Sequence, residues 1–442
     1  MNLPLVRPRV VLFGVVALAS LLSVASLSIV TPSPASAQIK QTKQRKQTAQ
    51  TKQRKQTAQT KQSFGQRTPF PEFDATYATF LRSVGRDLDR FWSAEFPRVY
   101  GRPYESLAGY FPSDLETTPP NCGGRVRYED VAGNAFYCSA ADYIAFDNAQ
   151  LFPSLNQRIG KVSLAMVLAH EMGHALQARI GMRLPSVYAE LQADCFAGSW
   201  LRRYVDGEAS SLRPPPDAME QATVAALSFR DRPGSSADRS GAHGNGFDRV
   251  GALQLGFDGG VDRCSTFASD PPIVTAAAFR TAAEAASGGD LDISEAVRLT
   301  VASADQHFAE LVGSPPTRRA SDQELTAAYT GIGDLALATV LLEDWTTTAA
   351  NALWPSAKLP NRTRELRSVC LTGTWVGAAQ RGELGSADSP VSLSPGDLDE
   401  ALIATIQSKG QTTSFQRVRA LRAGFQARGK LSSDLKLICG RF

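Results

Sequence analysis

The 442 residues contain only four histidines, and two of them stand four apart in Val167-Leu-Ala-His170-Glu171-Met-Gly-His174. On a helix, positions i and i+4 share a face, so both imidazoles can hold a single Zn²⁺. Glu171, next to the first imidazole, is placed to act as general base toward a water activated at that ion. A catalytic zinc needs a third protein ligand and one open position. Downstream, Glu190 and Asp194 are again four apart, in Glu190-Leu-Gln-Ala-Asp194-Cys195-Phe-Ala-Gly198-Ser-Trp200. The economical assignment makes Glu190 the third ligand and lets Asp194 accept a hydrogen bond from a ligating imidazole. His243 lies among glycines and is a candidate donor to the oxyanion of a tetrahedral intermediate, or else an ordinary loop histidine. Tyr188 is a weaker candidate for the same task, and His307 reads as a plain helix residue.

These side chains need two helices to carry them. Residues 162–180 are apolar at helical period and closed by Gly181, which predicts a buried helix with a glycine C-cap. Pro185 and Ser186 open a second helix, with Ser186 as N-cap and Gly207 as its stop. Leu191, Cys195, Phe196 and Trp200 make that helix largely buried, so its two carboxylates need partners. Just ahead of the first helix, residues 137–147 read as a strand through Tyr143, Ile144, Ala145 and Phe146. The expected fold class is α+β, mainly helical, with a small antiparallel sheet.

The His170-Glu-Met-Gly-His174 run, followed by Glu190-Leu-Gln-Ala-Asp194-Cys195-Phe-Ala-Gly198-Ser-Trp200, resembles the bacterial neutral zinc metallopeptidase family. More broadly it is similar to gluzincins, in which a downstream Glu completes the zinc site and an Asp four residues on supports it. The resemblance takes in Phe136-Tyr137-Cys138, the 142–147 segment, His243-Gly244, Arg249-Val250 and Gly256-Phe257, and covers about residues 71–268. It implies a zincin-like catalytic domain, one Zn²⁺, and peptide or protein substrates. In such folds an upstream strand can pair with an extended substrate backbone. Gln177 and Ile180 occupy the places of the glycine and third histidine of another zincin subclass, which is thereby excluded. The chain departs from the family at Ser139, where proline is usual, and over 230–241.

The second half echoes the first. Glu365-Leu-Arg-Ser-Val369-Cys370-Leu-Thr-Gly373-Thr-Trp375 aligns with residues 190–200 at an offset of 175, and 332–342 aligns with 159–169. Glu343, Asp344 and Thr347 stand where His170, Glu171 and His174 would be. Gln416-Arg417-Val418 and Gly424-Phe425 echo Asp248-Arg249-Val250 and Gly256-Phe257. The pattern predicts a degenerate, helical, metal-free copy over 290–442 after a catalytic domain over 69–270. Cys195 and Cys264 are 69 residues apart, as are Cys370 and Cys439. One disulfide per copy follows, with Cys122–Cys138 closing a hairpin in the first.

Composition is that of an ordinary globular chain, with 47 Lys+Arg against 43 Asp+Glu and a net charge of +4. Residues 1–62 hold ten of the basic residues and no acidic one, leaving 37 against 43 in the rest. Arg7 and Arg9 precede an apolar run over 10–30 and an Ala35-Ser36-Ala37 site. This predicts a signal peptide over 1–37, with a signal anchor as the rival. A nine-residue repeat at 42–50 and 51–59 places a basic, Gln-rich linker over 38–68. Residues 40–61 are a candidate contact for anionic membrane lipid or cell-wall polymer. Neither a nucleic-acid partner nor a catalytic cysteine is expected.

The expected protein is therefore a secreted or membrane-anchored, extracytoplasmic zinc peptidase of the cell envelope, with Glu171 as base. The alternatives are a non-catalytic zinc-containing envelope protein that serves as a binding or regulatory module, and an amidase on cell-wall peptides.

Overall fold

Leu81, Val84, Leu88, Trp92 and Phe96 recur at helical spacing and are fully buried, which makes helix α1 (Ala78–Tyr100) an amphipathic wall. Helix α2 (Lys161–Ile180) is different, because residues 162–169 are buried all round. Such a helix must run through the middle of its neighbours rather than along the surface. It ends as expected at Gly181, in the left-handed conformation at φ 68°, with its N–H on the Ala178 and Gln177 carbonyls. Helix α3 (Ser186–Val205) begins one residue earlier than its sequence signal suggests. Pro185 takes the cap position and Ser186 is already helical, because the fixed proline φ suits a helix entry without a side-chain cap. Helices α4 (Ala218–Ser228) and α5 (Gly246–Ser265) complete the first half of the helical layer.

The computed structural model describes residues 70, 73, 75–209, 211–356, 358–386, 389–427 and 432–442. The readings made for the leader and for the basic linker lie outside the described residues. Among the described residues no helix is long and apolar enough to cross a membrane. Two compact units emerge: one holds Phe70, Phe73 and residues 107–151, the other 75–106 and 152–442.

The first unit carries the sheet, in the order β1 (Gly109–Ser113), β3 (Tyr143–Asp147), β2 (Ala135–Cys138). The pair β2–β3 is an antiparallel hairpin, while β1 runs parallel to β3. The expected small sheet is present, then, with one pair parallel; the 29 residues between β1 and β3 give the chain room to cross over. The expected strand over 137–147 is broken at Asp142, whose φ of 57° turns the chain back on itself. Because β3 is paired on both sides, an added strand could pair only at β1 or β2. Cys122–Cys138 pins this unit, and buried Asp147 accepts from Gly133 N, Ala149 N, Gln150 N and the Tyr128 hydroxyl.

In the second unit α3 and α5 touch backbone to backbone. A methyl at Gly198 would fall onto the Leu253 carbonyl, and one at Gly256 onto that of Cys195, so only glycine allows the approach. The Cys195–Cys264 disulfide closes the same pair. After these come α6 (Ile293–His307), α7 (Asp334–Leu341), α8 (Glu343–Leu353), α9 (Asn361–Gln380), α10 (Asp397–Gln407) and α11 (Ser414–Phe425). Between α9 and α11 the same contacts recur: Gly373 lies on the Leu421 carbonyl, Gly424 on that of Cys370, and Cys370 bonds to Cys439. Trp200 Nε1 donates to Asp87 at 3.0 Å, and Trp375 Nε1 to Ser303 at 3.2 Å. Val162 N donates to Gln221 at 3.0 Å, and Leu335 N to Glu400 at 2.9 Å. Asn245 caps α5 as Thr413 caps α11.

The halves are packed together within this unit. Phe247 stacks edge-on to Phe425 with ring centroids 4.7 Å apart, and Phe257 meets Phe415 at 4.9 Å. Asp399, at the start of α10, is buried and accepts from Gly246 N at 3.0 Å and Phe247 N at 2.7 Å, capping α5 from the other half.

Candidate metal centre

His170 and His174 project from one face of α2 because they are a turn apart, and Glu190 meets them from the first turns of α3. The Nε2 atoms of the two imidazoles lie 3.2 Å apart, with the rings nearly perpendicular at 86°. Glu190 Oε2 stands 3.2 Å from His170 Nε2, and Oε1 stands 3.4 Å from His174 Nε2. Ligand atoms of all three residues fall within 4.8 Å of one another. Glu171, the residue after the first imidazole, is buried beside them.

The outer nitrogen of each ring is engaged elsewhere. His170 Nδ1 lies 2.8 Å from Asp194 Oδ1, one turn along α3 from Glu190. His174 Nδ1 lies 2.9 Å from Gln177 Oε1. An acceptor on each Nδ1 places the proton of a neutral ring there and turns that ring's Nε2 lone pair inward. Asp194 is in turn gripped by Arg249 of α5, Nε to Oδ2 and Nη2 to Oδ1, both at 2.9 Å. The third guanidinium nitrogen, Nη1, donates to the Phe229 carbonyl at 2.8 Å.

The electrostatics favour a cation. Burial opposes ionisation of Glu190, but the two imidazoles outweigh it and hold the carboxyl well below its ordinary range. Asp194 is likewise buried and likewise held down, by Arg249 and His170. Burial disfavours charge on His170, yet Asp194 and Glu190 push its imidazole up to about 10. Glu190 Oε2 is buried and receives no aligned hydrogen bond. Two imidazole nitrogens and a buried carboxylate oxygen without an aligned hydrogen bond are a donor set that suits Zn²⁺, which catalytic sites hold through three protein ligands.

Residues 14–184 match the model of the family described as "Putative neutral zinc metallopeptidase". The chain is similar to that family over this segment. It includes His170, Glu171 and His174 and stops short of Glu190. Similarity to a zinc metallopeptidase family points to zinc binding and to peptide or protein substrates. No curated protein matches, and no solved structure matches. The three disulfides are Cys122–Cys138, Cys195–Cys264 and Cys370–Cys439, and no described cysteine is free. They fit an oxidising environment outside the cytoplasm.

His243 does not belong to the trio of potential ligands. It is half-exposed on the loop ahead of α5, its ring Nδ1 3.5 Å from Asp231 and its backbone N–H on Asp231 Oδ2 at 2.7 Å. Tyr188 lies in the first turn of α3. His307 sits in α6, where Nε2 pairs with the Thr374 hydroxyl at 3.0 Å. Sequence reasoning overlooked the roles of Arg249 and Gln177. Arg249 gave one signal, a full charge immediately before the apolar turn Val250-Gly-Ala-Leu253, where a buried cation demands a partner. Gln177 gave a similar one, a polar side chain one turn beyond His174 on the same face.

Proposed function

We propose that this chain is an extracytoplasmic zinc-dependent peptidase that hydrolyses peptide bonds at the site formed by His170, His174, Glu190 and Glu171. The observation that carries the reading is the convergence of both Nε2 atoms and Glu190 on one point, next to a buried glutamate. Zinc held there by His170, His174 and Glu190 would polarise the scissile carbonyl and lower the pKa of water. Glu171 takes the proton of the attacking water and passes it to the leaving amine. Asp194 orients His170 and receives no proton, since Arg249 keeps it ionised. His243 is assigned the oxyanion, with Asp231 accepting from its backbone N–H and lying beside its ring Nδ1.

The second half is read as a degenerate copy that does no chemistry. Asp344, at the place of Glu171, is bound instead by the Arg319 guanidinium at 2.5 Å, which also reaches Thr347 at the place of His174. Glu365, at the place of Glu190, accepts from Gln411 N at 2.8 Å and from the Thr412 hydroxyl. A basic side chain thus sits where the first half gathers its metal donors.

The test is Glu171→Gln in the full chain, with zinc content and peptide-library cleavage measured on the same preparation. Loss of cleavage with one zinc retained per chain is the expected result. Undiminished cleavage would remove Glu171 from the mechanism, and with it this reading.

A further inference from the structure

Behind His174 lie two amide side chains whose orientation is decided by groups that can only accept. Gln177 Nε2 is 2.7 Å from the Ala189 carbonyl and 3.1 Å from Gln192 Oε1. Gln192 Nε2 is 3.0 Å from the Cys264 carbonyl. A carbonyl oxygen has no proton to give, so each amide must turn its NH₂ toward it. With both nitrogens so committed, Gln192 presents Oε1 to Gln177, and Gln177 presents Oε1 to His174 Nδ1 at 2.9 Å. That oxygen can only accept, so the proton of a neutral His174 belongs on Nδ1 and the lone pair on Nε2.

We infer that Gln192 and Gln177 form a relay that carries the polarity of the Cys264 and Ala189 carbonyls to His174 and holds it in its metal-binding tautomer. Gln192 is a positioning residue, since it acts on His174 only through Gln177. The relay is sheltered: Gln192 is 0% exposed and Gln177 8%, so water is not available to satisfy either amide the other way round. Its far end is fixed covalently as well, because Cys264 is bonded to Cys195, three residues from Gln192 on the same helix.

The second half supplies an internal comparison. In the alignment of the halves, Gln177 corresponds to Ala350 and Gln192 to Arg367. Alanine has no side-chain amide and a guanidinium cannot accept. Arg367 is used differently, donating to the Phe442 carbonyl at 3.1 Å and the Gly440 carbonyl at 3.2 Å. The relay is missing from the half that lacks the histidines, as a device serving the metal ligand would be, whereas a device serving only helix packing would have reason to persist in both.

The inference rests on His174 being a ligand, and the experiment separates the two. Zinc affinity of the full chain is measured by chelator competition for the parent, Gln177→Met and Gln192→Met, together with the melting temperature of each zinc-free protein. Outer-shell losses of this kind weaken metal binding about 10- to 100-fold. Gln177→Met is expected toward the upper end of that range and Gln192→Met at about tenfold, with zinc-free Gln192→Met still folded but melting below the parent, because it leaves the Cys264 carbonyl unpaired. Equal zinc affinity in Gln192→Met and the parent would overturn the relay, while a parent that takes up no zinc would overturn the metal reading instead. Histidine-nitrogen NMR on the unsubstituted chain decides the tautomer independently, including the case where a variant does not fold. A neutral His174 protonated on Nδ1, with slow solvent exchange, is expected. A ring whose single proton sits on Nε2 would sink the relay whether or not zinc binds.

Discussion

Arg249 and Asp194 stand 55 residues apart in the chain and meet through two parallel hydrogen bonds of 2.9 Å. The planar fork of the guanidinium matches the carboxylate edge, which ties α5 to α3 at the back of His170. Both groups are buried, so neither can fall back on water.

Removing one partner from such a pair leaves an uncompensated buried charge, at a cost of about 3–5 kcal/mol. Arg249→Met is therefore expected to lower stability by about that amount in denaturant unfolding, and to weaken zinc binding as His170 loses its fixed partner. Arg249→Lys should recover little of either, because one ammonium cannot replace two parallel N–H groups. Stability equal to the parent's in Arg249→Met would show that the pair is not needed to hold α5 on α3.

Asp399 reaches the same helix from the second half. It caps α5 at Gly246 and Phe247, three and two residues before Arg249, and pairs with Arg230 at 3.2 Å. Asp399→Leu should cost about 1–3 kcal/mol by leaving buried donors unpaired. It should also lower zinc affinity, with the distance from the metal ligands as the telling point. A loss of stability with wholly unchanged zinc binding would show that the second half does not reach the centre through this cap.

The close approach of α3 and α5 gives a steric test. Gly256→Ala drives a methyl into the Cys195 carbonyl, and Gly424→Ala does the same at Cys370 in the second half. Overpacking of this kind costs about 1–3 kcal/mol or more. Both variants should melt below the parent; only Gly256→Ala should release zinc more readily.

Stability should fall as pH rises. Burial pushes the Asp397 carboxyl up to about 8, with Asp334 and Asp290 adding repulsion, and burial with Asp397 raises Glu400 to about 9. Asp334, raised to about 6 by burial, titrates with them as one cluster. Groups raised above their unfolded values contribute stability that is complete below those values and is lost as pH climbs through the folded ones. The decline is expected between about pH 4.5 and 9. Glu400→Gln should flatten it, as the corresponding Gln221 of the first half makes the same bond to its helix start. An unchanged slope in denaturation across that range would refute the assignment.

His243→Ala tests the oxyanion role. Loss of a donor that acts only in the transition state lowers kcat by about 100-fold with little change in KM. A change confined to KM would make His243 a substrate contact instead.

Much of this site could be read from spacing alone. The helical period of four placed His170 with His174 and Glu190 with Asp194, since covalent geometry sets which residues of a helix share a face. The recurrence of 69 residues between cysteines was enough to pair all four that the halves use. The strand reading over 137–147 was less successful, because a single residue at positive φ, Asp142, turns the chain there and leaves no periodic trace. The helix entry at Pro185 went astray for a like reason: cap position depends on backbone angles that residue type only biases.

What the sequence determined by itself was thus the set of donors and the chemistry open to them, because those follow from residue type and from contacts within one turn. Only tertiary structure decided their partners. Arg249 on Asp194, Gln192 on the Cys264 carbonyl and Asp399 on the start of α5 join residues 55, 72 and 152 or 153 positions apart. No local rule connects positions so distant. They meet because buried polar groups must find partners wherever the packing of apolar helices happens to bring one within reach.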